Sequence, residues 1–142
     1  MNHLEASKTV VGMAVTAAAA TATLSIDTLG YSYASIDVIV GKSATAADTA
    51  TSILAALNLF QGVNTNATAA VYTVAVPAAS VKVTAQASII RMDIDLRGKR
   101  RYLKVDASPS INTSTIIVAR LSKGHDNADT AAVKGVLEKY SG

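Results

Sequence analysis

Apolar and polar residues alternate with a period of two along much of this chain. In "ASIIRMDIDLRG" Ile90, Met92, Ile94 and Leu96 fall on one side and Arg91, Asp93, Asp95 and Arg97 on the other, the pattern of a half-buried strand. "YSYASIDVIVG" repeats it: Ala34, Ile36, Val38 and Val40 form an apolar side, Tyr33, Ser35, Asp37 and Ile39 the opposite one, and Gly41 closes the run. After Gly98, "RYLKVDAS" turns Leu103 and Val105 inward against Tyr102, Lys104 and Asp106, and Ser108-Pro109-Ser110 ends it. "TSTIIVARLSKG" supplies the last strong strand. Upstream, "TVVGMAVT" from Thr9 and "ATATLSIDT" predict a first pair of strands, and "ATAAVYTVAV" a further one between the loop at Asn64-Thr65-Asn66 and Pro77.

Residues 43–62 give a mixed signal. Ala47, Ala50, Leu54 and Leu57 recur at helical spacing, while "ILAALNLF" also suits a strand; the expectation is a loop or short helix followed by a strand. Seven or eight short strands with turn signals every dozen or so residues predict an all-β fold, an antiparallel, jelly-roll-like β-sandwich. Residues 9–124 form that single domain, residues 1–8 a flexible N-terminal arm and residues 125–142 a polar, alanine-rich C-terminal tail. There is no βαβ rhythm and no internal repeat.

Composition narrows the chemistry. Half of the 142 residues are hydrophobic, yet the chain has no Trp and a single Phe, Phe60, which suits tight sheet packing better than an aromatic-lined pocket. The absence of cysteine excludes a disulfide framework, thiol catalysis and Cys-ligated metals. The first two dozen residues imitate a secretory leader, but Glu5 and the threonines Thr16, Thr21 and Thr23 break the pattern. No run reaches the roughly 20 apolar residues of a membrane helix, so the expectation is a soluble chain.

Candidate catalytic and binding groups are sparse. Gly41-Lys42-Ser43 mimics the end of a phosphate-binding loop, but the glycine that the motif needs five positions earlier is Ile36. Asp93 and Asp95 share a strand face as a carboxylate pair might, yet they alternate with Arg91 and Arg97, and charge pairing on a solvated face explains them. His3 and His125, the two histidines, lie in the two terminal segments; a metal centre would require them to meet with carboxylates and a triad would need one held rigidly in a pocket, so both are expected to be solvent-exposed. Asn66-Ala67-Thr68 and Asn112-Thr113-Ser114 match the glycosylation acceptor pattern, common by chance in a chain rich in Asn and Thr. Nothing here points to an enzyme or to a cofactor.

The net charge is +3, and five of the thirteen basic residues, Arg97, Lys99, Arg100, Arg101 and Lys104, crowd around Gly98 in "DLRGKRRYLKV". The glycine suits a hairpin reversing "RMDIDL" into "RYLKV", since a turn there demands a positive φ. Three uses of the charges are open: a plain solvated turn, a phosphate contact, or contact with an acidic protein surface or another subunit. Single-strand binders interleave cations with exposed aromatics, and only Tyr102 is available, so the pattern argues against nucleic acid.

"TLGYSYASIDVIVG", "LAALNLFQG", "MDIDLRGKRRYLKV" and "TIIVARLSKG", in that order across residues 24–136, resemble a family of small tailed-bacteriophage head proteins, the capsid decoration or cement proteins. The most specific element is the stretch at residues 95–105. The resemblance implies a non-enzymatic β-sandwich on the capsid surface of the virion, made in the host bacterial cytoplasm. Its partner would be the major capsid protein, with neighbouring capsomers bridged by a homotrimer and no membrane involved. Arg97, Lys99, Arg100, Arg101, Tyr102 and Lys104, with Leu4 and Lys8 of the arm, are the candidate capsid or subunit interface. The family pattern is often more acidic after its "LNLF" strand, where this chain continues Gln61-Gly62-Val63. A low-copy tail, neck or fibre-base protein and a jelly-roll carbohydrate-binding module are the alternatives; the scarcity of rings for stacking on sugars argues against the latter.

Overall fold

A computed structural model describes residues 7–14, 20–41, 54–73, 87–110 and 112–122. Eight strands form among them: β1 (Lys8–Ala14), β2 (Ala22–Asp27), β3 (Tyr33–Val40), β4 (Leu54–Gly62), β5 (Ala69–Thr73), β6 (Ser88–Asp95), β7 (Tyr102–Pro109) and β8 (Thr115–Ser122). They build two four-stranded antiparallel sheets, ordered β1-β8-β3-β6 and β2-β7-β4-β5. The expected all-β sandwich is the observed fold. The arm from residue 1 to residue 6, including Leu4, the tail, Pro77, Lys42, Ser43 and both histidines lie outside the described residues, while the last arm residue, Lys8, opens β1.

The topology follows one rule. The first strand pairs with the last, the second with the seventh, the third with the sixth and the fourth with the fifth. The chain is therefore one long hairpin, folded over so that its paired legs lie alternately in the two sheets. Two further ladders, β3 with β8 and β4 with β7, zip the folded hairpin into two four-stranded sheets.

Two expected neighbours separate as a result. β1 and β2 belong to different sheets instead of forming a first pair, and β6 and β7 do not form a hairpin. Gly98 does have the positive φ the turn required, 79°, but its turn carries the chain from one sheet to the other.

Alternation places the core correctly. Ala34, Ile36, Val38 and Val40 of β3, Met92 and Ile94 of β6, Leu103, Val105 and Ala107 of β7, and Ile117, Ala119 and Leu121 of β8 are all buried between the sheets. The core is aliphatic, and each Leu, Ile or Val it encloses contributes about 1.5–3 kcal/mol of apolar burial.

In β4 the register shifts between Leu54 and Ala56. Leu54 and Leu57 are both buried, as is Leu59. The helix-like step of three between the first two leucines is thus the signature of a β-bulge, which adds one residue and lets both side chains face the same core. The strand half of the expectation for residues 43–62 holds; Ala47 and Ala50 lie outside the described residues.

Candidate interaction surface at the double corner

Where the folded hairpin bends, both legs cross between the sheets side by side. One leg crosses through Asp27-Thr28-Leu29-Gly30 and the other through Asp95-Leu96-Arg97-Gly98, and the two corners are built alike. In each, the aspartate Oδ1 accepts a hydrogen bond from the backbone N–H two residues on, Leu29 at 3.1 Å and Arg97 at 3.0 Å. In each, a turn closes around the glycine: Tyr31 N–H donates to the Thr28 carbonyl and Lys99 N–H to the Leu96 carbonyl, both at 3.0 Å. The glycines sit at φ 86° and 79°, as the third position of a type II turn requires.

The corners also bond to the opposite leg. Thr28 N–H donates to the Arg101 carbonyl at 2.9 Å, reinforced by the Thr28 hydroxyl at 2.6 Å, and Leu96 N–H donates to the Ser32 carbonyl at 2.9 Å. Backbone pairing thus continues through the crossing, and the polar groups of the bend are satisfied where the ladders leave off.

The arginines belong to this construction. Arg97 is bidentate on Asp95, Nε to Oδ1 at 2.9 Å and Nη2 to Oδ2 at 2.6 Å, and Arg101 is bidentate on Asp27 at 2.9 and 2.7 Å. Arg97 also lies 5.5 Å from the Tyr33 ring centre and Arg101 5.0 Å from that of Tyr102. Lys104 lies within β7 on the outer face of its sheet, 3.3 Å from Asp106 and 4.9 Å from the centre of the Phe60 ring. Three of the five cations near Gly98 are therefore matched by a carboxylate and stacked on a ring. Lys99 and Arg100 remain exposed and form no ion pair with any described residue. The Arg100 backbone is held by Gln61, whose Oε1 accepts its N–H at 3.1 Å.

Several other features gather at the same end. Tyr33, which opens β3, pairs with Ser122 at the end of β8 and Asp95 at the end of β6, and Lys8 at the start of β1 pairs with Leu121. The chain's entry into β1 and its exit from β8 thus both lie beside the double corner. The Lys8 charge reaches Asp27. Leu29 and Val63, exposed by 65% and 75%, belong to this end as well, Leu29 on the first corner and Val63 on the loop after β4. Sequence reasoning missed this pair; only their neighbours in space make two scattered aliphatic loop residues into a surface.

Asp93 and Asp95 line a shallow depression of about 350 Å³ with Tyr33, Ser35 and Ser122. Hydrogen bonds from the Arg97 side chain and backbone hold Asp95 at about 2 instead of 3.8, and Lys99 adds to the effect. A carboxyl so acidic stays ionised at neutral pH, whereas a general acid needs its pKa raised. The charge pairing expected for this face is observed for Asp95 with Arg97 and for Arg91, which is bidentate on Asp37 of the neighbouring strand.

A Cβ on Gly98 would meet nothing within 4 Å, so Gly98→Ala costs backbone strain alone, about 1–2 kcal/mol, and Gly98→Asn less, read from urea midpoints at constant slope. Asp95 and Asp27 both have depressed pKa values, Asp27 chiefly through its bond to Arg101. A depressed carboxyl stabilises the fold above its ordinary pKa and loses that contribution as pH falls through its folded value. The melting temperature should therefore fall between about pH 4 and pH 2, and Asp95→Asn should flatten part of that slope.

Comparison with protein-family models, curated proteins and solved structures finds no match to the chain.

Proposed function

We propose that this chain is a decoration, or cement, protein that binds the outside of a tailed-bacteriophage head. The observation that carries the reading is the double corner: residues 95–105, the part of the sequence that most resembles that family, form one of its two legs and the start of β7. The strand order supports the same assignment, because a hairpin folded over into β1-β8-β3-β6 and β2-β7-β4-β5 is how an eight-stranded jelly roll is wound, an architecture used in viral shells.

The corner end is the attachment end. Lys99 and Arg100 offer exposed charge that forms no ion pair among the described residues, Leu29 and Val63 offer apolar contact, and the chain enters β1 beside them at Lys8. An acidic, partly apolar patch on the major capsid protein is the complementary surface. Packaged DNA repels itself and presses outward on the shell; each clamp adds contacts that rupture must break, and linked copies convert weak contacts into durable attachment. Each described ring of the outer faces that meets a cation, Tyr33, Tyr102 and Phe60, is covered by it, which leaves those faces poorly placed to stack on sugars.

Quantitative mass spectrometry of purified source particles tests the reading: copy numbers close to that of the major capsid protein are expected. A handful of copies per particle would move the protein to the tail or neck, and none would end the virion assignment. The attachment end has its own test. Lys99→Ser with Arg100→Ser should weaken binding to shells stripped of this protein and flatten its salt dependence, while Arg101→Ser acts mainly on stability. Equal salt dependence for wild type and the double variant would return the corner to a plain solvated turn.

A further inference from the structure

The two outer faces of the sandwich differ. On the β2-β7-β4-β5 sheet many outward residues are polar and bonded to one another, as in Thr23 to Asp106 at 2.8 Å and Thr21 to Ser108 at 3.0 Å, and the outward rings of Tyr102 and Phe60 lie against Arg101 and Lys104. On the β1-β8-β3-β6 sheet the register aligns Ile116, Ile39 and Ile89 in one outward row across three strands, with Val11 and Val118 in the next, beside the paired Asp37 and Arg91. Val11 and Ile89, at the two edges of that sheet, are 57% and 61% exposed. An outer face of an antiparallel sheet that is solvated should alternate to polar residues, and a contiguous apolar patch on it marks an interaction surface.

The polar row of the same face identifies what fits it. Ser35 of β3 pairs with Arg120 on one side and Asp93 on the other, so a cation and a carboxylate flank the β3 axis, each one strand spacing of about 4.8 Å away. Asp93 makes no ion pair with a described residue, and Arg120 has only a contact of 3.9 Å with Asp37, a carboxylate already held by Arg91. A rotation of 180° about β3 exchanges the two positions. The row then meets its own image with cation over carboxylate twice, and the isoleucine row meets itself, Ile39 on Ile39 and Ile116 on Ile89. Such self-complementarity is what a two-fold, isologous contact requires.

We infer that the outer face of the β1-β8-β3-β6 sheet binds a second copy of this chain, sheet against sheet, about a two-fold axis running along β3. Sheets stacked this way lie about 10 Å apart with their strands nearly aligned, which brings Arg120 of each copy to Asp93 of the other. Because the axis runs along the strands, both corner ends point in the same direction, and Lys8, Lys99 and Arg100 of both copies face one surface. The inference stands on the face itself and does not depend on what that surface is; it differs from the trimer that the family resemblance implies.

Sedimentation equilibrium over a concentration series tests it with four proteins: wild type, Asp93→Arg, Arg120→Asp and the double exchange. Wild type is expected to be a dimer. Each single variant places like charges opposite each other twice and should weaken the dimer on the order of tenfold or more, and the double exchange should restore it. Circular dichroism confirms that the substituted chains keep their strands, since both residues are exposed. A wild type that is monomeric throughout or trimeric overturns the inference, as do single variants that associate like wild type or a double exchange that restores nothing. A shell-bound protein that fails this test remains a decoration protein, and a dimer absent from virions remains a dimer.

Discussion

The fold depends on keeping two chain segments about seventy residues apart in register while they leave one sheet and enter another. A bend of this kind normally interrupts backbone hydrogen bonding, and every unpaired buried N–H or carbonyl there opposes folding. Here each corner gives its own turn a carboxylate acceptor, and each lends the other a carbonyl: Arg101 to Thr28 and Ser32 to Leu96. Between the β2–β7 ladder and the β3–β6 ladder one leg spends residues 28–32 and the other residues 96–101, so the register shifts by one residue across the bend, and the two cross-leg bonds fix where that shift falls. A slip of one residue would turn every core side chain of one sheet outward, so this crossing sets the register on which both halves of the core rely.

That constraint changes the meaning of the charges around Gly98. A basic cluster read along the chain suggests a surface for an anion, but Arg97 and Arg101 are occupied with Asp95 and Asp27. Exposed pairs of this kind contribute little energy; what they add is orientation, since each bidentate guanidinium ties its aspartate to one rotamer, and that aspartate caps the turn. What remains exposed there is smaller and better defined: two cations, two aliphatic side chains and the start of β1 at Lys8, brought together at one end of the sandwich.

Much of this was legible in sequence because it is local. The period-two runs identify the buried faces of β3, β6, β7 and β8, since alternation records which side a strand turns to the core. What failed was pairing. A turn around Gly98 looks the same whether it returns within a sheet or crosses to the other, and only the partner strands decide. The kinship of "DTLG" and "DLRG" was visible in the letters, but its meaning needs the two segments side by side. Leu54 and Leu57 imitated a helix because a bulge and a helical turn both give a step of three. Asp37, expected on a solvated face, keeps only 7% of its side chain exposed; Arg91, on the neighbouring strand and 54 residues away, covers it.

The same topology determines how the sandwich would carry load as a clamp on a shell. The arm enters at Lys8 and β1 lies at a sheet edge, bonded on one side only, to β8. Force drawn sideways from the arm would peel this ladder open one pair at a time from Lys8 and Leu121. Force drawn along the strand, toward a surface beneath the corner end, acts perpendicular to the ladder's hydrogen bonds and loads all the pairs from Lys8 to Ala14 together. On the proposed attachment through the corner end, a pull entering β1 at Lys8 would run along the strand, so the edge strand that is weakest against peeling would be loaded in the direction in which it is strongest.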